Sequence, residues 1–160
     1  MALVKLNNQS ISEVTGLPAG VGGKVLQVVT ARTNTAFNTT STSFVAVTPL
    51  TLNITPSSTS NKVLILVHFT SANSTAGKTT NTTIYRDATD LQIGSTGLMG
   101  FYNPNADDYK GYSMNYLDSP SSTSALTYQI YAKTDSGGTA QLMVNTNTAS
   151  ITLMEISWWL

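Results

Sequence analysis

The amino-acid sequence predicts an all-β protein that folds as a β-sandwich. Apolar and polar residues alternate along most of the chain after residue 23, and turn-forming residues separate these short runs. No segment keeps the 3.6-residue apolar period of a helix. Eight or nine short strands suit two packed antiparallel sheets. We favour a jelly roll, and the strand count leaves a Greek-key immunoglobulin-like sandwich open as the alternative.

The predicted strands follow one another from residue 24 to the end of the chain. They cover residues 24–32, 43–54, 61–71, 82–86, 91–94, 112–117, 124–133, 140–144 and 150–157. The third has two apolar faces, with Val63, Ile65, Val67 and Phe69 on one side and Leu64 and Leu66 on the other. Because a strand of this kind is usually covered on both sides, we expect it to be internal to an assembly.

The segment before the first strand divides into an arm and a linker. Residues 16–23 contain four glycines and one proline, which is typical of a flexible connection. Residues 1–15 are too few to form a core, yet they carry apolar residues that suit docking on another surface: Leu3, Val4, Leu6, Ile11 and Val14. The predicted organisation is therefore a docking arm at 1–15, a linker at 16–23 and a sandwich at 24–160.

The composition excludes several classes of partner. Only 10% of the residues are charged, the net charge is zero, and Lys and Arg are scattered singly, so nucleic acid is not expected as a partner. No apolar run is long enough to span a bilayer, and membrane insertion is not expected. The chain has no cysteine, which excludes disulfides and thiolate metal sites.

The residues that enzymes need are scarce, and we predict neither an enzyme nor a cofactor. The single histidine, His68, lies within a predicted strand, and no Gly-x-Ser-x-Gly turn is present to supply a nucleophile. The six aspartates are expected to be ordinary turn residues: Asp87, Asp90, Asp107, Asp108, Asp118 and Asp135. The oxygen-rich loop at 103–108 lacks the glycine and the final acidic residue of a calcium loop, so no metal is predicted.

Two other groups of residues are candidates for contacts with partners. The chain ends on Trp158, Trp159 and Leu160, which either fold back onto the core or contact another subunit or protein. Four tyrosines surround the 103–108 loop and could stack on a sugar ring, although tyrosine is also an ordinary strand residue: Tyr102, Tyr109, Tyr112 and Tyr116.

Five sequence segments in a fixed order resemble a known class of protein module. They are GKVLQVV at 23–29, ITPSSTSNKVLI at 54–65, IYRD at 84–87, LDSP with TSALTY between 117 and 128, and SITLMEI at 150–156. In this order and spacing they resemble the C-terminal modules of tail-fibre and other virion structural proteins of marine and cyanobacterial phages. The long repetitive shaft usual in fibre proteins is replaced here by only 22 residues, and the Trp-Trp-Leu ending extends past the usual one.

The resemblance implies a β-sandwich virion component that trimerises and carries no catalytic residues. We therefore expect a homotrimeric capsid decoration protein, assembled in the host cytoplasm, whose arm docks on the major capsid protein or another virion protein. The alternatives are a short tail fibre or receptor-binding tip, and a lectin-like module that binds a host surface glycan.

Overall fold

The computed structural model describes residues 24–92 and 94–157, which form two antiparallel sheets packed face to face. The strands, in chain order, are β1 (Val25–Thr33), β2 (Phe37–Thr39), β3 (Val45–Ile54), β4 (Lys62–Asn73), β5 (Lys78–Arg86), β6 (Thr89–Asp90), β7 (Met99–Asn103), β8 (Lys110–Asp118), β9 (Leu126–Thr134), β10 (Ala140–Leu142) and β11 (Ala149–Ile156). The predicted all-β sandwich is confirmed.

The order of the strands is that of a jelly roll. In the first sheet the long strands lie in the order β1, β11, β4 and β8, and the short β10 also pairs with β4 and carries β2 at its outer side. In the second sheet the order is β3, β9 and β5, and both β6 and β7 pair with β5. Eight main strands divided as β1-β11-β4-β8 and β3-β9-β5-β7 make the double Greek key of a jelly roll.

The core lies between the two sheets and is formed by alternate residues of their strands. One of the two apolar rows predicted for β4, Val63 to Phe69, is almost completely buried, and so is the row of β9 from Leu126 to Ile130. Val47, Ile84 and Ile151 add buried side chains from β3, β5 and β11. Period-two alternation therefore identified the two apolar rows of β4, and the structure shows which of them faces the core.

Three parts of the predicted strand pattern are wrong. The short strands β2 and β7 were not expected, and the expected strand at 91–94 is replaced by the two-residue β6, with Leu91 outside it. The expected strand at 140–144 ends at Leu142, because Met143 (φ 54°) and Asn145 (φ 57°) turn the backbone into the left-handed region. Strands of two or three residues depend on their tertiary partner rather than on a sequence pattern.

The interpretation of all six aspartates as turn residues is wrong for Asp118. This residue ends β8 and is buried, with its two carboxylate oxygens 2.8 Å and 2.6 Å from Nη1 of Arg86 on β5. The hydroxyl of Tyr128, on β9, donates a 2.6 Å hydrogen bond to the same carboxylate. Asp118 therefore joins the first sheet to two strands of the second at one end of the sandwich.

Candidate functional site

The outer face of the first sheet, which points away from the core, carries a row of apolar side chains across four strands. The alternation of buried residues places the even-numbered residues of β4 and β11 on this face. Strand register then aligns one residue from each strand: Val28 opposite Met154, Met154 opposite Leu64, and Leu64 opposite Leu117. Directly opposed residues of antiparallel strands have their side chains on the same face and in contact range.

This row belongs to a larger group, which we call the apolar face: Val28, Leu64, Leu66, Leu117, Met154 and Ile156. Val28 is 53% exposed, Leu117 41% and Leu66 38%. Val25 lies opposite Ile156 at the margin, and the bulge that follows it exposes Leu26. Contiguous exposed apolar side chains of this kind mark sites of interaction with other molecules.

The remainder of the outer face is polar. Thr30, Thr152 and Asn115 flank Leu66, and the hydroxyls of Thr30 and Thr152 lie 3.0 Å apart. The following row contains Ser150, His68 and Ser113, and these residues line part of a shallow depression of about 360 Å³. The apolar face is therefore rimmed by hydroxyl and amide groups on one side.

The histidine in this depression lacks the surroundings of a catalytic base. Its Nδ1 lies 3.4 Å from Oγ of Ser113, which is longer than the 2.6–3.2 Å expected of a nucleophile and its base. No carboxylate hydrogen-bonds the ring within the described part of the chain, although a third group that orients the base is the usual requirement. Among residues 24–92 and 94–157, no three His, Asp or Glu side chains gather as metal ligands.

The two ends of the described chain meet beside the apolar face. The amide of Ser157 donates to the carbonyl of Lys24 over 2.9 Å, and the amide of Lys24 donates to Oγ of Ser157 over 3.0 Å. These residues follow directly on the Val25–Ile156 pair at the margin. The segments 1–23 and 158–160 are therefore both attached at this edge of the molecule.

A buried carboxylate holds this end of the sandwich together. Glu155 is 1% exposed and accepts hydrogen bonds from Nε2 of Gln27 (2.6 Å), Nδ2 of Asn61 (2.6 Å), and both the amide and the hydroxyl of Ser57 (2.7 and 2.8 Å). Burial opposes ionisation, but these donors outweigh it and lower the pKa of Glu155. The carboxylate ties β1 and the β3–β4 connection to β11, which fixes the point where both chain ends leave.

The outer face of the second sheet differs from the apolar face because the chain covers part of it. Nζ of Lys133 lies 4.6 Å above the ring of Phe44 and donates to the carbonyl of Ser95 over 2.7 Å. Thr83 lies on this outer face and is nevertheless fully buried. Within the described residues, a loop of the chain thus covers part of the second sheet, whereas the first sheet exposes apolar side chains.

The structure separates the four tyrosines proposed for sugar binding. Tyr112 and Tyr116 pack against the core, and Tyr112 stacks on Phe101 with ring centroids 4.1 Å apart. Tyr102, on β7, is 62% exposed, and Tyr109, in the loop before β8, is 36% exposed. Only these last two present their rings to the surface.

The other predicted contact residues lie outside the described residues. These are the arm residues Leu3, Val4, Leu6, Ile11 and Val14, and the terminal Trp158, Trp159 and Leu160. No helix within 24–92 and 94–157 is both long and apolar enough to cross a membrane.

The sequence indicated only part of the apolar face. The even positions of β4 were recognised as apolar, but Val28, Leu117 and Met154 were not connected with them. The sequence does contain apolar residues at those alternate positions of each strand that point away from the core. These residues lie side by side only because their strands pair, and the sequence does not specify that pairing.

Comparisons with known proteins find similar folds among viral chains. No protein-family model matches the sequence, and no curated protein matches it. The structure of infectious bursal disease virus Gx strain is 15% identical over 82% of this chain and 32% of that chain, with a TM-score of 0.47. The VP2 subviral particle of infectious bursal disease virus is 13% identical over 81% of this chain and 39% of that chain, with a TM-score of 0.42. This chain thus spans about a third of the length of these viral chains.

Proposed function

We propose that the protein is a non-enzymatic structural component of a bacteriophage particle, where it forms a homotrimer that decorates the capsid and is attached by residues 1–15. The observation that carries the proposal is the apolar face at the edge where both chain ends leave. A sandwich whose described residues expose an apolar surface, close to Lys24 and Ser157, suits a protein that takes part in assembly.

The sequence resemblance supplies the setting of a phage particle. Its five segments lie on or beside strands of both sheets, and four of them contribute to the apolar face: 23–29 with Val28, 54–65 with Leu64, 117–128 with Leu117, and 150–156 with Met154 and Ile156. The same surface that suits assembly is therefore built partly from the segments that resemble virion modules.

The test is incorporation of the protein into particles. Quantitative mass spectrometry of purified virions should find tens to hundreds of copies relative to the major capsid protein for a decoration protein. A handful of copies would favour the short tail fibre or receptor-binding tip, and absence from the particle would contradict both roles.

A variant that lacks residues 1–15 should stay folded and fail to join the particle. Normal incorporation of that variant would show that the arm is not the attachment device.

Sugar binding is a second candidate function because the exposed ring of Tyr102 lies on the outer side of β7. Stacking on a pyranose ring needs an accessible aromatic face, and Tyr109 is the other tyrosine of the predicted four at the surface. Glycan-array binding that is lost in Tyr102→Ala and Tyr109→Ala, and kept in Tyr116→Phe, would support this function. An array without any bound host polysaccharide would contradict it.

A further inference from the structure

We propose that the free edge of β8 binds the β8 edge of a second copy, so that the first sheets of two copies join into one continuous antiparallel sheet. This contact is two-fold symmetric and cannot close a trimer. It therefore goes beyond the proposed homotrimer and connects one trimer to the next. The occupant of the edge is the same strand of another copy of this chain.

The strand β8 is outermost in the first sheet and has a neighbour on one side only. It pairs with β4 from Lys110, opposite Ser71, to Asp118, opposite Val63. Within the described residues no other strand hydrogen-bonds to its backbone. A strand in this position presents a row of unpaired N–H and C=O groups along its other side. These groups can pair with the backbone of another chain.

The other outermost strands carry features that discourage such pairing, whereas β8 does not. A bulge follows Val25 in β1, β3 contains a bulge and Pro49, and β2, β6 and β7 have five residues or fewer. Short strands, bulges and prolines are the usual protection of a sheet edge. β8 has nine residues in unbroken register with β4, and 111–117 contain neither proline nor a charged side chain. Among the described strands, the edge of β8 is therefore the least protected.

The sequence of β8 is complementary to itself in the antiparallel direction. With Met114 on the two-fold axis, Lys110 of one copy lies opposite Asp118 of the other. Tyr112 of one copy lies opposite Tyr116 of the other in the same way. Opposite charges and aromatic pairs both stabilise antiparallel strands. A parallel arrangement would instead set Lys110 beside Lys110, and like charges directly opposite are destabilising.

The other charges near this edge do not oppose the contact. Arg86 balances Asp118, and Asp108 lies 2.7 Å from Lys110, so neither end of β8 carries an unbalanced charge. Lys62 is one row beyond Asp118 on β4, and a strand separates it from the edge. It also lies on the outer side of the sheet, whereas Lys110 shares the parity of the inward residues of β8. Lys62 therefore does not face a cation of the second copy.

The contact has the hydrogen bonds and the space that a specific interface requires. Antiparallel pairing of nine residues forms about nine backbone hydrogen bonds, and a typical interface carries about ten. On the outer side, Leu117, which is 41% exposed, lies opposite Gly111 of the second copy. Gly111 has no side chain, and a Cβ there would meet only His68, at 3.6 Å. Leu117 can therefore extend across Gly111 and bury part of its exposed surface.

The absence of cysteine permits a direct test by cross-linking. Residues 113 and 115 are opposite one another in the proposed pair, so Ser113→Cys and Asn115→Cys are made as two separate full-length proteins. The two are mixed at micromolar concentration, oxidised, and examined by non-reducing electrophoresis and intact mass. We expect at least tenfold more mixed dimers than from Asn115→Cys with Asn53→Cys, an exposed site on the second sheet. Either β8 variant alone should form fewer, because its thiol lies diagonally from its copy, beyond disulfide reach.

A second pair of variants tests the edge by charge. Ser113→Lys places a cation on the exposed side of β8, close to its own copy across the axis. It should weaken self-association at least tenfold and leave the circular dichroism of the fold unchanged, because lysine protects sheet edges from pairing. Asn53→Lys is the control and should leave self-association unchanged. Sedimentation measures both variants, and equal effects would overturn the inference.

The cross-linking result also separates this contact from the proposed function. A wild type that stays monomeric would overturn the inference, and so would an oligomer whose mixed β8 thiols cross-link no more than the Asn53→Cys control. A trimer with that second result would leave the proposed homotrimer intact and remove only the contact between trimers. Mixed dimers from a protein that is absent from virions would support this contact and contradict the proposed role in the particle.

Discussion

At the scale of single residues, two buried carboxylates stabilise different parts of the described fold and have different kinds of partner. Asp118 is paired with a cation and joins the two sheets, whereas Glu155 accepts only neutral donors and closes the end where the chain termini leave. Both are ionised groups taken out of water, so each depends on its full set of partners.

Removal of the Asp118 carboxylate should destabilise the fold strongly. Asp118→Ala leaves the Arg86 guanidinium and the Tyr128 hydroxyl without their acceptor, and we expect a loss of about 2–3 kcal/mol in the free energy of unfolding. Urea denaturation measures it. Asp108→Ala is the matched control, because its partner Lys110 is exposed and the pair should contribute nothing measurable. Equal stability of the two variants would contradict the assigned role of Asp118.

The pKa of Glu155 predicts how stability depends on pH. Because folding lowers this pKa below its usual 4.5, the ionised carboxylate stabilises the fold above pH 4.5, and that stabilisation is lost as the pH falls through the folded pKa. Glu155→Gln should lose about 1–3 kcal/mol at pH 7, since a buried amide cannot accept all of these donors. The difference from wild type should shrink as the pH falls below 4.5, as urea denaturation at several pH values would show. A constant difference would exclude this explanation.

At the scale of elements, β4 shows how one strand can serve two purposes. It is central in the first sheet, between β11 and β8, with one row of side chains in the core and the next on the apolar face. We therefore expect adjacent residues to affect different equilibria, folding for the buried row and assembly for the outward row.

Two neighbouring substitutions in β4 should separate these equilibria. Ile65→Ala removes a fully buried side chain, and we expect a loss of about 2–5 kcal/mol in the free energy of unfolding of the dilute protein. Leu66→Ala, one residue further on the exposed face, should change it by less than about 1 kcal/mol and should instead weaken self-association. Denaturation and sedimentation of both variants measure the two effects. The same loss of stability in both variants would contradict the expectation that the outward residues of β4 affect self-association rather than folding.

The loop that covers the second sheet depends on one glycine. Gly97 has φ 89°, and a Cβ there would lie 2.5 Å from the carbonyl oxygen of Thr82 and 3.0 Å from the ring of Phe44. Gly97→Ala should therefore lower the free energy of unfolding by at least about 1 kcal/mol. Gly111→Ala is the control, because its Cβ would meet only His68, at an ordinary 3.6 Å. Thermal unfolding compares them, and a neutral Gly97→Ala would show that the loop can move away.

At the scale of the whole molecule, low charge and an apolar face suggest assembly by the hydrophobic effect. The net charge is zero, and only two ion pairs occur between side chains of the described residues. Long-range electrostatic attraction should therefore contribute little to association between copies.

Self-association should consequently depend little on salt. We expect the dissociation constant of the oligomer to change by less than about threefold between 50 mM and 500 mM NaCl, because contacts between neutral side chains are not screened. Sulfate should strengthen it, since excluded salts favour burial of apolar surface. Analytical ultracentrifugation measures both effects. A tenfold weakening in NaCl would point to a charged interface instead.

The sequence by itself determined the fold class and the two apolar rows of β4. Alternation along a strand carries that information locally, so Ile65 could be placed in one apolar row of β4, which the structure shows to be buried. It also showed that Leu64 and Leu66 form a second apolar row, which anticipated an outer role for β4.

Only the tertiary structure decided which distant residues meet. The strands β2 and β6 are too short to carry a pattern, Asp118 binds a cation 32 positions away, and Val28 reaches Met154 and Leu64 only through strand register. The physical reason is that period-two alternation specifies which side of a strand a residue occupies, whereas pairing between strands is fixed by the packing of the whole sandwich. For this protein the apolar face is a product of that pairing.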